Sequence, residues 1–242
     1  MKKEKLFSDD EFDKTLSVGD KLVFDKPELR KIRIDLTWAG TDLDICAFLL
    51  GKDGMIHKKE DLVYFASKLR WKPLRSFDDP NFSPLEGKFS QWPEASDEFR
   101  NPIRWMEATL PISADGSVIG SWDDMVESTE GEEGDCGETM HVLLDEVDTR
   151  KYVSIQFAAA VAKDRILNGE TFEDAHDPIV TIYNADTNEK VAEYKLARSF
   201  PGKDAVCFAR MDFNEESFLW NFIPMEDSYN GGIQFLATEI FN

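Results

Sequence analysis

Alternation with a period of two runs through most of this chain. Over residues 31–38, Ile32, Ile34, Leu36 and Trp38 fall on one face and Lys31, Arg33, Asp35 and Thr37 on the other. That is the pattern of a half-buried strand. Over 152–161, Val153, Ile155, Phe157, Ala159 and Val161 share a side. Strands at 179–184 and 190–197 flank the polar turn Ala185-Asp186-Thr187-Asn188, and strands at 205–213 and 218–224 flank Asn214-Glu215-Glu216. Both pairs read as hairpins. Shorter strands are predicted near residue 22 and at 44–50, the latter closed by the turn Gly51-Lys52-Asp53-Gly54. Helical periodicity is weak, leaving room for a turn or two at 60–69, 145–148 and 170–175. The predicted fold is mostly β: an antiparallel β-sandwich of two packed sheets with short helical turns.

One stretch interrupts this rhythm. Pro73, Pro80, Pro84, Pro93, Pro102 and Pro111, six of the ten prolines, lie between Trp71 and Pro111 together with Trp92 and Trp105. Such proline density argues against central strands and long helices. The tryptophans argue against a slack linker, because they need burial. The expectation is an insertion at about 70–111, ordered against the sandwich. It serves either as a partner surface or as local packing only. The domain reading is an N-terminal extension over 1–15 and a single domain over 16–242.

Composition bounds the chemistry. The chain has 242 residues, 42% hydrophobic and 12% aromatic, enough to build a core. Lys and Arg number 28 against 48 Asp and Glu, a net charge of −20. That field repels nucleic-acid backbones and anionic lipid and attracts cations. Cys46, Cys136 and Cys207 are far apart, as are His57, His141 and His176, so neither a disulfide framework nor a zinc cluster is expected. Cys46 and Cys207 sit in apolar runs and read as buried, reduced thiols. Residues 1–12 lack the apolar core of a signal peptide. The most apolar uncharged run, Tyr152 to Ala162, is 11 residues, against about 20 for a membrane-spanning helix. A soluble protein of the cytoplasm, without membrane insertion or nucleic-acid binding, is expected.

Two acidic elements stand out. Between Trp105 and Thr149 there is no Lys or Arg but there are thirteen acids, eight of them between Asp123 and Glu138, with Gly131, Gly134 and Gly137 interleaved. Glycine lets a loop curl so that oxygens converge, and calcium takes 6–8 such oxygens. The competing reading is a solvated acidic loop. The spacing is not that of an EF-hand. The second element is Asp42-Leu43-Asp44, whose carboxylates share one face of a strand start. It is either a water-facing edge pair or half of a cation site.

Taken in order, Val18-Gly19-Asp20-Lys21-Leu22, the strand ending in Trp38, Asp42-Leu43-Asp44 with Phe48, the acidic glycine-rich loop and Tyr229-Asn230-Gly231-Gly232-Ile233 resemble the TerD family of tellurium-resistance and general stress proteins. The resemblance covers roughly 16–69 and 113–236. It implies a two-sheet sandwich binding Ca2+ through Asp42, Asp44, Asp123, Asp124, Asp135 and Glu138. It also implies partnership with other Ter-type stress proteins, one of them membrane-associated. Where the family has Asp-Asp before the closing Glu, this chain has Cys136-Gly137, so fewer carboxylates are available and one of two family ions is open to loss. A non-enzymatic calcium-binding stress-response protein is therefore the leading functional expectation. The alternative is a β-sandwich interaction module with a vestigial acidic loop. A glycosidase-type enzyme using paired carboxylates ranks below both, because no nucleophile elbow, phosphate loop or zinc motif accompanies the acids.

Overall fold

The computed structural model describes residues 14–91, 106–121, 136–197 and 199–242. Two six-stranded sheets pack face to face. The first contains β1 (Lys14–Thr15), β3 (Lys31–Gly40), β9 (Val118–Gly120), β10 (Cys136–Leu143), β12 (Ala175–Asn184) and β13 (Lys190–Lys195), in the order β1-β13-β12-β3-β10-β9. The second contains β2 (Leu22–Val23), β4 (Leu43–Leu50), β5 (Leu62–Val63), β11 (Ser154–Val161), β14 (Ala205–Asn214) and β15 (Leu219–Tyr229), in the order β2-β15-β14-β11-β4-β5. Pairing is antiparallel except between β1 and β13. The seven predicted strands are all present, with ends shifted by up to five residues. Lys14 and Thr15, assigned to the N-terminal extension, already pair with Ala192 and Glu193.

The alternation explains the core. Ile32, Ile34, Leu36 and Trp38 of β3 meet Leu43, Ile45, Ala47 and Leu49 of β4 and Ile155, Phe157, Ala159 and Val161 of β11 in one buried cluster. All eight residues of β4 are buried, so this strand is covered on both faces. Its outer cover is the C-terminal helix, α2 (Gly232–Phe235), which continues through a π-helical turn at Leu236–Ile240. Leu236 and Phe241 pack with Cys46, Phe48 and Leu50 over Ala158, Ala160 and Ala205, whose small side chains let the helix approach. Neither this helix nor the short α1 (Lys163–Leu167) is predicted by the sequence pattern. At 60–69 only one 3-10 turn forms, Lys59–Asp61, because the Asp61 carboxylate takes the His57 and Lys58 N–H groups and β5 follows directly. Among the described residues no helix is long and apolar enough to cross a membrane.

The Gly-Gly motif launches α2. Asp204 Oδ1 and Oδ2 accept the Gly231 N–H at 2.8 and 2.9 Å, and Oδ1 accepts the Gly232 N–H at 2.9 Å. Gly231 has φ 107°, and a Cβ there would lie 2.6 Å from Phe235 Cβ, so only glycine fits. Asp204→Ala is expected to cost about 1–2 kcal/mol, the usual worth of a charged helix cap. Hydrogen exchange should show the loss confined to 232–241. A global loss with unchanged exchange in α2 would refute this account.

Part of the insertion is a third sheet, β7-β6-β8, formed by β6 (Leu69–Pro73), β7 (Gly87–Gln91) and β8 (Leu110–Pro111). The argument against a central strand fails here, since β6 is the middle strand. Pro73 and Pro111 sit at strand ends, where a missing N–H is tolerated. Trp92, Trp105, Pro93 and Pro102 lie outside the described residues. Leu110, Ile112 and Ile119 form the small core joining this sheet to the sandwich, with Leu69, Trp71, Phe77 and Leu85 against it.

Candidate metal centre

The crossover from β3 to β4 is tightly fixed. Trp38 Nε1 donates to the Thr41 carbonyl at 2.8 Å, Thr41 N donates to Asp174 O at 3.0 Å and Thr41 Oγ1 donates to Glu170 Oε2 at 2.5 Å. Gly40, at φ 98°, leaves the space through which Asp174 O approaches, and a Cβ would meet that oxygen at 2.2 Å. Asp42 O then accepts the Ala162 N–H at 3.0 Å. Asp42 is half-buried, while Asp44 is only 7% exposed. A water-facing edge pair is therefore excluded for Asp44.

Glu138 comes from the opposite sheet. The acidic loop had been expected to end at this residue, but Cys136–Leu143 is a strand paired with β3, with Glu138 opposite Leu36. Alternation turns Glu138 inward with Met140 and Val142, and it is 4% exposed. β5 pairs with Ala47 and Phe48 of β4, and among the described residues no strand pairs with this β4 edge upstream of them. There the Ile45 N–H donates to Glu138 Oε2 at 2.6 Å. The carboxylate supplies the acceptor that a neighbouring strand would otherwise give.

Both acids act on one buried thiol. Burial pushes the Cys46 thiol well up, and nearby Cys207, Asp44 and Glu138 add to the shift. Tyr64 is raised by burial, by Cys46 and by Asp44. Cys46, Ala158 and Cys207 form one cross-strand row on the outer face. Both thiols are buried and free, as their apolar context predicted. A thiol held protonated is a poor metal ligand, so the donors on offer are carboxylate oxygens. These suit a hard cation in kind. They do not complete a shell: among the described residues no group of three or more His, Cys, Asp or Glu gathers to hold a metal. Asp123, Asp124 and Asp135 lie outside the described residues.

A TerD domain profile matches residues 13–72 and 111–240. The chain belongs to the TerD domain family. The gap in the match, 73–110, falls on the proline-rich insertion. General stress protein 16U of Bacillus subtilis (strain 168) is 24% identical over 124 residues, covering 51% of this TerD chain and 60% of that protein. The chain thus matches less than two thirds of that relative's length. Among solved structures, a protein of unknown function, SAV2460, is 17% identical with a TM-score of 0.51, over 87% of this chain and 95% of that one. A homologue of the telluride resistance protein TerD from Streptomyces coelicolor A3(2) is also 17% identical, with a TM-score of 0.49, over 88% and 98%. The TM-score of 0.51 supports the sandwich fold.

Sequence reasoning missed a second polar group. Arg33, Asp35, Thr139 and His141 lie together on the outer face of the first sheet, where Arg33 pairs with His141 and Asp35 with Thr139 across β3 and β10. The alternation of β3 already placed Arg33 and Asp35 outward. The β10 half was hidden because the acidic loop is read as running to Glu138 and no strand is predicted over 139–143.

Proposed function

We propose that this TerD-family chain is a non-catalytic, calcium-binding stress-response protein of the cytoplasm. The observation that carries the reading is the buried acid pair at the β4 edge, Asp44 and Glu138, delivered by opposite sheets. Buried carboxylates are costly unless protonated, hydrogen-bonded or joined by a cation, and their oxygens suit calcium. The family resemblance names Asp42, Asp123, Asp124 and Asp135 as the remaining ligands. The stress role rests on the family and on the name of the Bacillus relative. Other Ter-type proteins are the partners this reading favours.

Ligands drawn from both sheets exist together only in the folded chain, so calcium must stabilise the fold. At about ten times the dissociation constant the gain is roughly 1.4 kcal/mol, about 3–5 °C in melting temperature for a domain this size. The comparison is between melting in chelator and in calcium, for the parent and for Asp44→Asn. Asparagine removes the charge, so the calcium-dependent shift should shrink. No shift in either protein would refute calcium binding. An equal shift in both would place the ion elsewhere.

A further inference from the structure

A cavity of about 700 Å³ lies between the outer face of the first sheet and the insertion. Its floor is the polar quartet Arg33, Asp35, Thr139 and His141, and its roof includes Phe77 and Phe82. The two rings are in edge contact with centroids 4.9 Å apart. The volume is typical of small-molecule sites, as is the combination of an apolar wall with a few convergent polar groups.

The floor's hydrogen bonds show what is missing. Asp35 Oδ1 accepts from Thr139 Oγ1 at 3.0 Å. Arg33 Nη1 donates to Asn188 Oδ1 at 2.7 Å, and the guanidinium lies 4.1 Å from the Tyr183 ring centroid. Arg33 Nε forms an ion pair with Asp35 Oδ2 at 3.1 Å, but the buried Nε–H makes no hydrogen bond. The His141 ring likewise makes no hydrogen bond among the described residues. A neutral imidazole always carries one N–H donor. Ser121 Oγ, at the rim, accepts from Thr139 N at 3.2 Å, which leaves its own proton to donate. Arg33 Nε is the buried donor without a hydrogen bond, and the His141 and Ser121 donors stand beside it under an aromatic roof.

We propose that this cavity binds a small flat aromatic carboxylate, its oxygens on Arg33 and His141 and its ring against Phe77 and Phe82. A carboxylate offers aligned acceptors to Arg33 Nε, which makes no hydrogen bond, and to the His141 N–H, and charge-assisted bonds to guanidinium are the strong ones. Polyphosphates fit less well: the cavity has one arginine, already offset by Asp35, and the chain's charge of −20 opposes a polyanion. A cationic ligand would face Arg33 directly. The site is separate from the acid pair of β4 and does not depend on calcium.

The test titrates the full chain with 2-naphthoate and with 1-naphthylmethylamine, in chelator so that the calcium reading cannot affect the result. Binding is followed by calorimetry and by the NMR signals of the His141 ring. Naphthoate is expected to saturate with a dissociation constant of roughly 0.05–1 mM and to shift the His141 signals, while the amine does not bind. Arg33→Gln should weaken naphthoate about tenfold or more, and Phe82→Ala should weaken it with the carboxylate preference retained. The readout on His141 in the parent stands even if a variant fails to fold. Failure of naphthoate to saturate below about 5 mM, equal binding of acid and amine, or saturation that leaves His141 unmoved would each overturn the proposal.

Discussion

Arg70→Met is expected to destabilise the folded chain by about 3–5 kcal/mol, near 10 °C in melting temperature for a domain of this size. Arg70 is fully buried. Its Nε donates to Thr109 Oγ1 at 3.1 Å, Nη1 to Phe65 O at 2.6 Å and Nη2 to Met106 O at 3.2 Å and Thr109 O at 2.7 Å. One side chain therefore ties the segment before β6 to the returning segment before β8. Burial lowers its pKa to about 10, so it remains charged at neutral pH. Replacing a whole buried ion pair by apolar residues is often harmless, because both costs vanish together. Here three of the four acceptors are main-chain carbonyls that no substitution removes, and methionine strands them. Arg70→Lys should recover part of the loss, since an ammonium keeps the charge and up to three donors. Limited proteolysis should show faster cleavage within 73–110. A methionine variant within about 1 kcal/mol of the parent would show that water reaches these carbonyls and that the clamp contributes little.

The second large effect is a pH dependence. Burial, and then Arg33, lower the pKa of His141 from 6.5 to about 4. The unfolded chain takes up this proton below about pH 6.5 and the folded chain only near pH 4, so stability falls as pH drops through that window. Two and a half units correspond to roughly 3.4 kcal/mol, and the partial exposure of the ring trims this to about 2–3 kcal/mol. Asp35 works in the opposite direction. Burial raises its pKa, so the folded chain gains its proton first and is favoured by acid. Comparing the parent with His141→Gln between pH 7 and pH 4 isolates the histidine: the parent should lose about 2–3 kcal/mol more than the variant. Parallel curves would mean that His141 titrates normally and that its pocket is wet.

The strands of the sandwich were legible because a sheet with one wet face writes its burial into every second residue. β3 and β11 show this plainly. β10 was not legible, because its inward row carries Glu138, an acid where the pattern calls for an apolar residue. The same substitution hid the candidate site: Asp44 could be placed on a strand face from spacing alone, but the reach of Glu138 to the neighbouring Ile45 N–H depends on how the two sheets stack. The C-terminal helix was obscured for a related reason. Its apolar residues, Ile233, Leu236, Ala237 and Ile240, cover the second face of β4 and β11, and a nine-residue element offers too few turns for its period to stand out. The buried Arg70 carried no local signal, since its partners lie up to 39 residues away.

The insertion leaves and rejoins the sandwich through strands that are already hydrogen-bonded neighbours: Arg70 lies opposite Pro111 and Trp71 opposite Leu110. Whatever the chain does between them, its ends stay one strand spacing apart, about 5 Å. Doubling the length of such a loop costs only about 0.6 kcal/mol of closure entropy. The family profile breaks at 72 and resumes at 111, at this same pair. The junction therefore acts as a socket. New sequence can be gained, lengthened or exchanged there without moving β4 or β10, so a TerD scaffold can acquire a different outer wall while the acid pair at its centre stays in place.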